Sequence, residues 1–525
     1  MVESGRWLLP HRGSELYAEK PPVFMWMQAA AYQLLGRWEV AFLLPSLLAA
    51  LLTLALTWDL TRRLWNHRVA GYAVVALFAC LQFGLMAKRG QIDMALVAMT
   101  TLSLWGLMRH LLRGPDWPAF AIGVVAAGVG TVTKGVGFLP LLVLLPWLAL
   151  RWRWPARLAA ARPGDRWRWA MVPPLFLAGT AVWLLPLSIA LLHGADPALP
   201  AYAHELLFKQ TGTRYAAAWH HRQPAWYYLQ VMLLLWLPGS LLLPWLLPAW
   251  LRRCRRIDPR QLLLLGWSAL VLLFFNLSPG KREVYVLPML PALAIAAAPL
   301  LPGLLRRRGV RWVLAVYVAT LGAGALISGT GALADAGWAR QAALRRAIDP
   351  SVLQPLGYWL LGFGGATLVV LAVTRLRRAA LAVVAMTALL WCSYGLGLMP
   401  TLDPYSSASA VMRKVQARIG PRAELGMVAW REQNLLQARP RAMDFGFKRP
   451  VSEQWRDASC WLAGAPERRW LFVLDRALSP CVDHSQVIAI GTANRNRWLL
   501  LPGTAMRAGC TVDAGATTVG GTEQD

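Results

Sequence analysis

The chain has 525 residues, of which 57% are hydrophobic and 15% charged, and its formal net charge at pH 7 is +28. A mean hydropathy of +0.42 excludes an ordinary soluble enzyme and implies an α-helical polytopic membrane protein. The same charge on a soluble domain would suggest nucleic acid, but here it sits in short loops between apolar runs, so no nucleic-acid partner is expected.

The first distinctive stretch is Tyr17-Ala18-Glu19-Lys20-Pro21-Pro22. The two prolines fix φ and push Lys20 out of the helical region, so Glu19 and Lys20 are presented from a stiff segment. Phe24, Met27, Gln28, Ala31, Leu34 and Leu35 then recur at near-helical spacing, which predicts an amphipathic helix over 23–35 that is too short to span a bilayer. Residues 1–38 therefore read as an outer loop with a juxtamembrane helix. A charge pair there lies at headgroup height, where phosphates are found, although a surface salt bridge beside a turn has the same residues.

Apolar runs long enough to span occupy 39–61, 69–87, 94–112, 118–133, 135–151, 169–191, 225–250, 261–277, 283–304, 312–333, 352–374 and 379–399, a transmembrane domain of about 12 spans over 39–399. The fourth and fifth runs meet at Thr133-Lys134-Gly135 and are separate only if this is a true turn. Alternate loops hold 23 arginines, no lysine and three acids, Asp116, Asp165 and Asp258, so the positive-inside rule makes them cytoplasmic. The N-terminus and everything beyond residue 400 then lie outside. An exported start needs something to carry it across, so one further helix is expected upstream.

All seven lysines fall on the outer side, by chance in part because lysines are so few, and five of the eight histidines, His11, His193, His204, His220 and His221, share the outer loops. In Lys88-Arg89-Gly90-Gln91-Ile92-Asp93, Asp93 either orients Arg89 or caps the next helix, and capping is the better reading. The turn at Lys134 is so tight that this lysine must lie at the membrane surface. The loop over 192–224 holds Glu205, Lys209, Arg214, His220, His221 and Arg222 and leads to Trp226-Tyr227-Tyr228, an interfacial belt or an aromatic wall for a sugar or lipid. Ser278-Pro279-Gly280-Lys281-Arg282-Glu283 leads to Tyr285. Lys20, Arg89, Lys134 and Lys281 are expected to converge on one phosphate site. No metal-ligand spacing is present and no cofactor is expected, the alternative being a divalent metal held by His220, His221 and Glu19.

Residues 400–525 have the composition of a soluble periplasmic α/β domain. A helix is expected over 406–419, strands over 424–430, 470–475, 486–490 and 498–501, and a disordered tail over 515–525. Cys460 and Cys481 are the pair best placed for a disulfide, with Cys510 left over.

Taken together, Glu19-Lys20-Pro21-Pro22 before a juxtamembrane helix, Lys88-Arg89 with Asp93, Thr133-Lys134-Gly135, His221-Arg222-Gln223-Pro224 with Trp226-Tyr227-Tyr228, and Pro279-Gly280-Lys281-Arg282 with Tyr285 resemble glycosyltransferase family 39. Within that family the pattern is similar to the 4-amino-4-deoxy-L-arabinose transferases, over about residues 3–300 and in the same order. The resemblance implies a C-type glycosyltransferase fold in a bacterial inner membrane and a polyprenyl-phosphate sugar donor. It also implies inverting transfer on the periplasmic face to lipid A or a protein hydroxyl. It assigns a catalytic role to Glu19, donor-phosphate contacts to Lys20, Arg89, Lys134, Lys281 and Arg282, and substrate contacts to Asp93, Arg222, Trp226, Tyr227 and Tyr285. The family's acidic Asp-Glu motif should precede residue 3, so Met1 resembles an internal methionine and a catalytic acid is expected upstream. A hydroxyl acceptor would need such a base, whereas a lipid A phosphate is already an anion. A transporter or flippase of a lipid-linked sugar is a different reading. It expects ionisable residues at mid-membrane on broken helices, and here nearly every charge lies at a helix end. A lipid-binding relative without turnover is a third.

Overall fold

The computed structural model describes residues 1–2, 4–158, 165–194, 196–206, 223–346, 348–438 and 442–507. The expected tail over 515–525 lies outside them. The chain divides into two compact units, the first comprising Met1–Pro10, Ala18–Val318 and Leu371–Thr387. Its centre is the helix Ile92–Arg113, whose apolar residues run round every face, Met94, Ala95, Leu96, Val97 and Ala98 all being buried. Packed around it are Leu44–Leu64 and Trp117–Lys134, the latter entered through Asp116, whose side chain caps Ala119 N at 3.1 Å. The crossing with Trp117–Lys134 is close because Gly106 lies against the neighbouring backbone; a Cβ there would stand 2.1 Å from the Ala119 carbonyl oxygen. Farther out, Val172–Leu192 turns Leu177, Leu185 and Ile189 outward, the composition of a face toward lipid.

Eight helices among the described residues are long and apolar enough to cross a membrane, or up to ten if each of two bent pairs is one span. The expectation was about twelve. The bent pairs, His67–Ala79 with Leu81–Ala87 at 71° and Tyr227–Leu235 with Gly239–Arg255 at 102°, occupy the expected spans over 69–87 and 225–250. The other two, 135–151 and 283–304, fall on short pieces, Leu139–Val143 with Leu144–Arg153 and Met289–Ala297 with Leu301–Leu304. A run of apolar residues measures hydrophobic length, whereas prolines such as Pro140, Pro291 and Pro302 cut the helical length.

The two bends interlock. A broken helix frees backbone groups that lipid cannot satisfy, and here each break supplies the other. Leu81 N donates to Leu237 O at 3.0 Å, and Trp236 Nε1 donates to Gln82 Oε1 at 2.6 Å. Gln82, fully buried, passes its own amide on to Glu283 O at 2.8 Å.

The second unit comprises His11–Tyr17, Ala319–Val370 and Ala388–Asp525. Its five-stranded sheet runs in the order Met443–Asp444, Glu424–Val428, Arg469–Leu474, Asn496–Pro502, Ile488–Ala493, the first two pairings parallel and the last two antiparallel. Helices Ser409–Ile419 and Val451–Ala463 bury Val411, Val415, Trp455 and Ala458 with Leu471, Phe472, Trp498 and Leu500 of the strands. The expected helix and four strands are therefore present within a few residues, joined by an edge strand and by a helix that the periodicity did not reveal.

This unit also contains a hairpin from the start of the chain, His11–Arg12 paired with Glu15–Leu16. Ser14 Oγ and N donate to Asp444 at 2.7 and 2.9 Å. Glu15 accepts from Phe447 N and Lys448 N at 2.9 and 3.0 Å. Arg12 pairs with Glu432 at 2.5 Å and lies over the rings of Tyr17 and Phe447. The expected Cys460–Cys481 disulfide is not formed: Cys460 is free and exposed on its helix, whereas Cys481 is buried and disulfide-bonded. Arg507 N donates to Cys481 O at 3.0 Å, so the chain just before Cys510, itself outside the described residues, runs beside Cys481.

Candidate active site

Two antiparallel helices joined by a short inner turn must bring the N-terminal end of the first beside the C-terminal end of the second. Asp93 and Lys134 occupy those ends and meet, Lys134 Nζ donating to Asp93 Oδ1 in a close ion pair whose side chains are only 11% and 15% exposed. Gly135 makes the position possible. With φ at +72° its amide closes on Thr131 O at 2.6 Å, so the helix stops at the lysine.

Asp93 is thus not the helix cap. Gln91 holds that position without a side-chain bond, and Asp93 sits in the first turn with its carboxylate committed to Lys134. The helix dipole favours an acid there, and burial demands a counter-charge. The Lys134 ammonium also stands 5.3 Å from the centroid of the Tyr285 ring, which stacks on Phe275 at 5.1 Å.

The remaining outer turns join this pair through neighbouring contacts. Lys281, 6% exposed, donates to Gln223 O at 3.2 Å and so ties the turn before Tyr285 to the segment before the aromatic run. Within that run Tyr228 is buried and packs edge-on against Tyr227. Trp226, by contrast, is 62% exposed. Arg282 is exposed in its turn, as is Arg89, where Gln91 N closes on Arg89 O at 2.8 Å.

The juxtamembrane helix Val23–Leu35, as predicted, packs on this end of the unit through Phe24, buried with Ile92 and Ala95. Gln28 Nε2 donates to Phe42 O at 3.2 Å, and Ser46 Oγ donates to Gln91 O at 3.2 Å. Glu19 and Lys20, half-buried, immediately precede this helix, so Phe24 brings them to the outer end where Ile92 flanks Asp93. Arg222 lies outside the described residues, together with Lys209, Arg214, His220 and His221. The proposed metal group of His220, His221 and Glu19 therefore falls partly outside them as well. Among the described residues no group of three or more His, Cys, Asp or Glu is placed to hold a metal ion.

Sequence reasoning missed the Asp93–Lys134 pair and the Gln82 junction. A signal existed for the second, a glutamine within an otherwise apolar run beside Cys80.

Residues 19–162 match the dolichyl-phosphate-mannose-protein mannosyltransferase family. Among curated proteins, the undecaprenyl phosphate-alpha-4-amino-4-deoxy-L-arabinose arabinosyl transferase 2 of Pseudomonas fluorescens is 31% identical over 306 residues, covering 56% of this chain and 49% of that protein. The arabinosyl transferase 1 of Sodalis glossinidius is 32% identical over 311 residues, covering 57% and 52%. The chain spans about half the length of these curated relatives. Among solved structures, ArnT from Cupriavidus metallidurans bound to undecaprenyl phosphate superposes with a TM-score of 0.73 at 20% identity, covering 96% of this chain and 91% of that one.

Proposed function

We propose that this chain, a member of glycosyltransferase family 39 with the C-type fold, transfers a sugar from a polyprenyl-phosphate donor to lipid A on the periplasmic face of a bacterial inner membrane. 4-Amino-4-deoxy-L-arabinose is the first candidate sugar, because the relatives above are named as its transferases. The observation that carries the reading is the Asp93–Lys134–Tyr285 cluster, with Lys281, Arg282 and the Glu19-Lys20 segment at the same end of the helices. An acceptor oxygen bonds to the anomeric carbon opposite the donor phosphate. The carbon–oxygen bond to phosphate breaks, and its electron pair leaves with the polyprenyl phosphate.

The leaving phosphate gains a negative charge, so transfer is accelerated by cations already in place. Asp93 offsets Lys134, which makes the pair a fixed dipole; further positive charge comes from Arg89, Lys281 and Arg282. A lipid A phosphate attacks as an anion and needs no base, whereas for a protein hydroxyl Glu19 would take the proton. Stabilisation by lysine and arginine assigns no step to a resident cofactor.

The test is a reconstituted chain given labelled undecaprenyl-phosphate aminoarabinose and lipid A, read by the mass of lipid A. Arg282→Ala should lower transfer by about 10²-fold, the scale of one charge-stabilising group, and chelation by EDTA should leave it unchanged. Donor crossing the bilayer without a covalent product would favour a flippase and sink the reading. The breaks at Cys80 and Trp236 speak against it already, because Gln82 and Trp236 close them without a carboxylate or cation.

A further inference from the structure

The opposite ends of the same helices carry a second constellation. Where Leu44–Leu64 and Ile92–Arg113 end and Trp117–Lys134 begins, a cleft of about 350 Å³ is lined by Arg63, Arg109, Arg113 and Asp116 around the Gly114-Pro115 turn. It lies on the arginine-rich, cytoplasmic side, away from the Asp93–Lys134 end.

Each guanidinium is anchored by one nitrogen. Arg63 Nε bonds Asp59 Oδ2 at 2.5 Å, Arg109 NH2 bonds Asp116 Oδ2 at 2.5 Å, and Arg113 NH1 donates to the Arg63 carbonyl, closing the end of its helix. The acids are fully used: Asp116 Oδ1 caps Ala119 N, and Asp59 also takes Arg62 and the Trp105 indole. Arg109 Cζ lies over the Trp105 ring at 4.4 Å from its centroid, and Arg62 Cζ over the Trp58 ring at 4.8 Å. Helix capping and the positive-inside rule account for arginines at these ends, but they do not require three planar forks around one space. Counting the groups bonded to the lining, Arg62, Arg63, Arg109 and Arg113 stand against Asp59 and Asp116, with N–H groups beyond the anchors and the Trp105 ring on one flank.

We propose that this cleft binds the phosphodiester headgroup of an anionic phospholipid of the cytoplasmic leaflet. The inference stands independently of the transfer reading. Guanidinium forks match a phosphate's oxygens two at a time, and anionic lipid is abundant at that surface.

The purified full chain, delipidated in detergent, is titrated with phosphatidylglycerol or phosphatidylcholine and bound lipid is counted by native mass spectrometry. Phosphatidylglycerol should bind in preference to phosphatidylcholine. Arg113→Gln, whose amide can still reach the Arg63 carbonyl, should weaken the phosphatidylglycerol site about fivefold, the effect of one basic residue near an anionic surface, while Arg256→Gln on another inner loop should not. Equal binding of the two lipids overturns the proposal, as does equal weakening by both variants. Displacement of the lipid by millimolar inorganic phosphate would make it a soluble-anion site and overturn the lipid assignment. Should Arg113→Gln not fold, the wild-type preference and its resistance to inorganic phosphate decide the matter alone.

Discussion

Asp93 and Lys134 are each poorly hydrated, so neither charge is stable there without the other. Asp93→Ala should destabilise the protein by about 3–5 kcal/mol because it leaves the ammonium without its counter-charge, and Asp93→Ala with Lys134→Met should recover most of that loss. Apparent Tm in detergent for the two single variants and the pair measures the coupling; additive losses would mean that the two groups act separately. Transfer gives a different ordering, since Lys134→Met removes a group of the proposed site and the second substitution cannot restore it. Both residues stood out in the sequence as members of short polar clusters. Their partnership did not, because Asp93 reads most simply as a helix cap, and only the length match of two antiparallel helices makes it an ion-pair partner 41 residues away.

At the scale of elements, the two bent helices depend on one side chain. Gln82 accepts from the Trp236 indole and donates to the Glu283 carbonyl, linking both breaks to the turn that carries Tyr285. Gln82→Leu keeps the volume but strands one buried donor and one buried acceptor, at about 1–3 kcal/mol each. Trp236→Phe strands only the glutamine oxygen and should cost less than Gln82→Leu. Thermal unfolding of the two variants checks the order, and a reversed order would show that the junction is held by packing instead. Among the described residues the 102° and 71° bends account for the difference between eight long apolar helices and ten spans, and the short pieces within 135–151 and 283–304 for the difference between ten and about twelve.

At the scale of the molecule, sidedness follows from charge. In a background lacking the exposed Cys392 and Cys460, cysteines introduced as Arg68→Cys and Arg256→Cys should react with an impermeant maleimide only after the inner membrane is opened. Glu432→Cys, in the α/β unit, should react without that step. Labelling of Arg68→Cys in sealed spheroplasts would invert the topology and move the Asp93–Lys134 end to the cytoplasm.

The sequence by itself determined the class, the sidedness of the loops, the juxtamembrane helix over 23–35, the α/β character after residue 400 and the outer clusters that carry the family resemblance. These are local properties, because hydrophobic length, loop charge and strand alternation are read by the membrane and the core one segment at a time. The tertiary structure decided what depends on partners distant in the chain. Lys134 is neutralised by Asp93, Lys281 donates to the Gln223 carbonyl, the 11–17 hairpin belongs with Asp444 and Phe447, and Cys460 stays free while Cys481 is bonded. A buried charge or an open backbone group fixes that a partner must exist, but which of many candidates supplies it is set by how the helices pack.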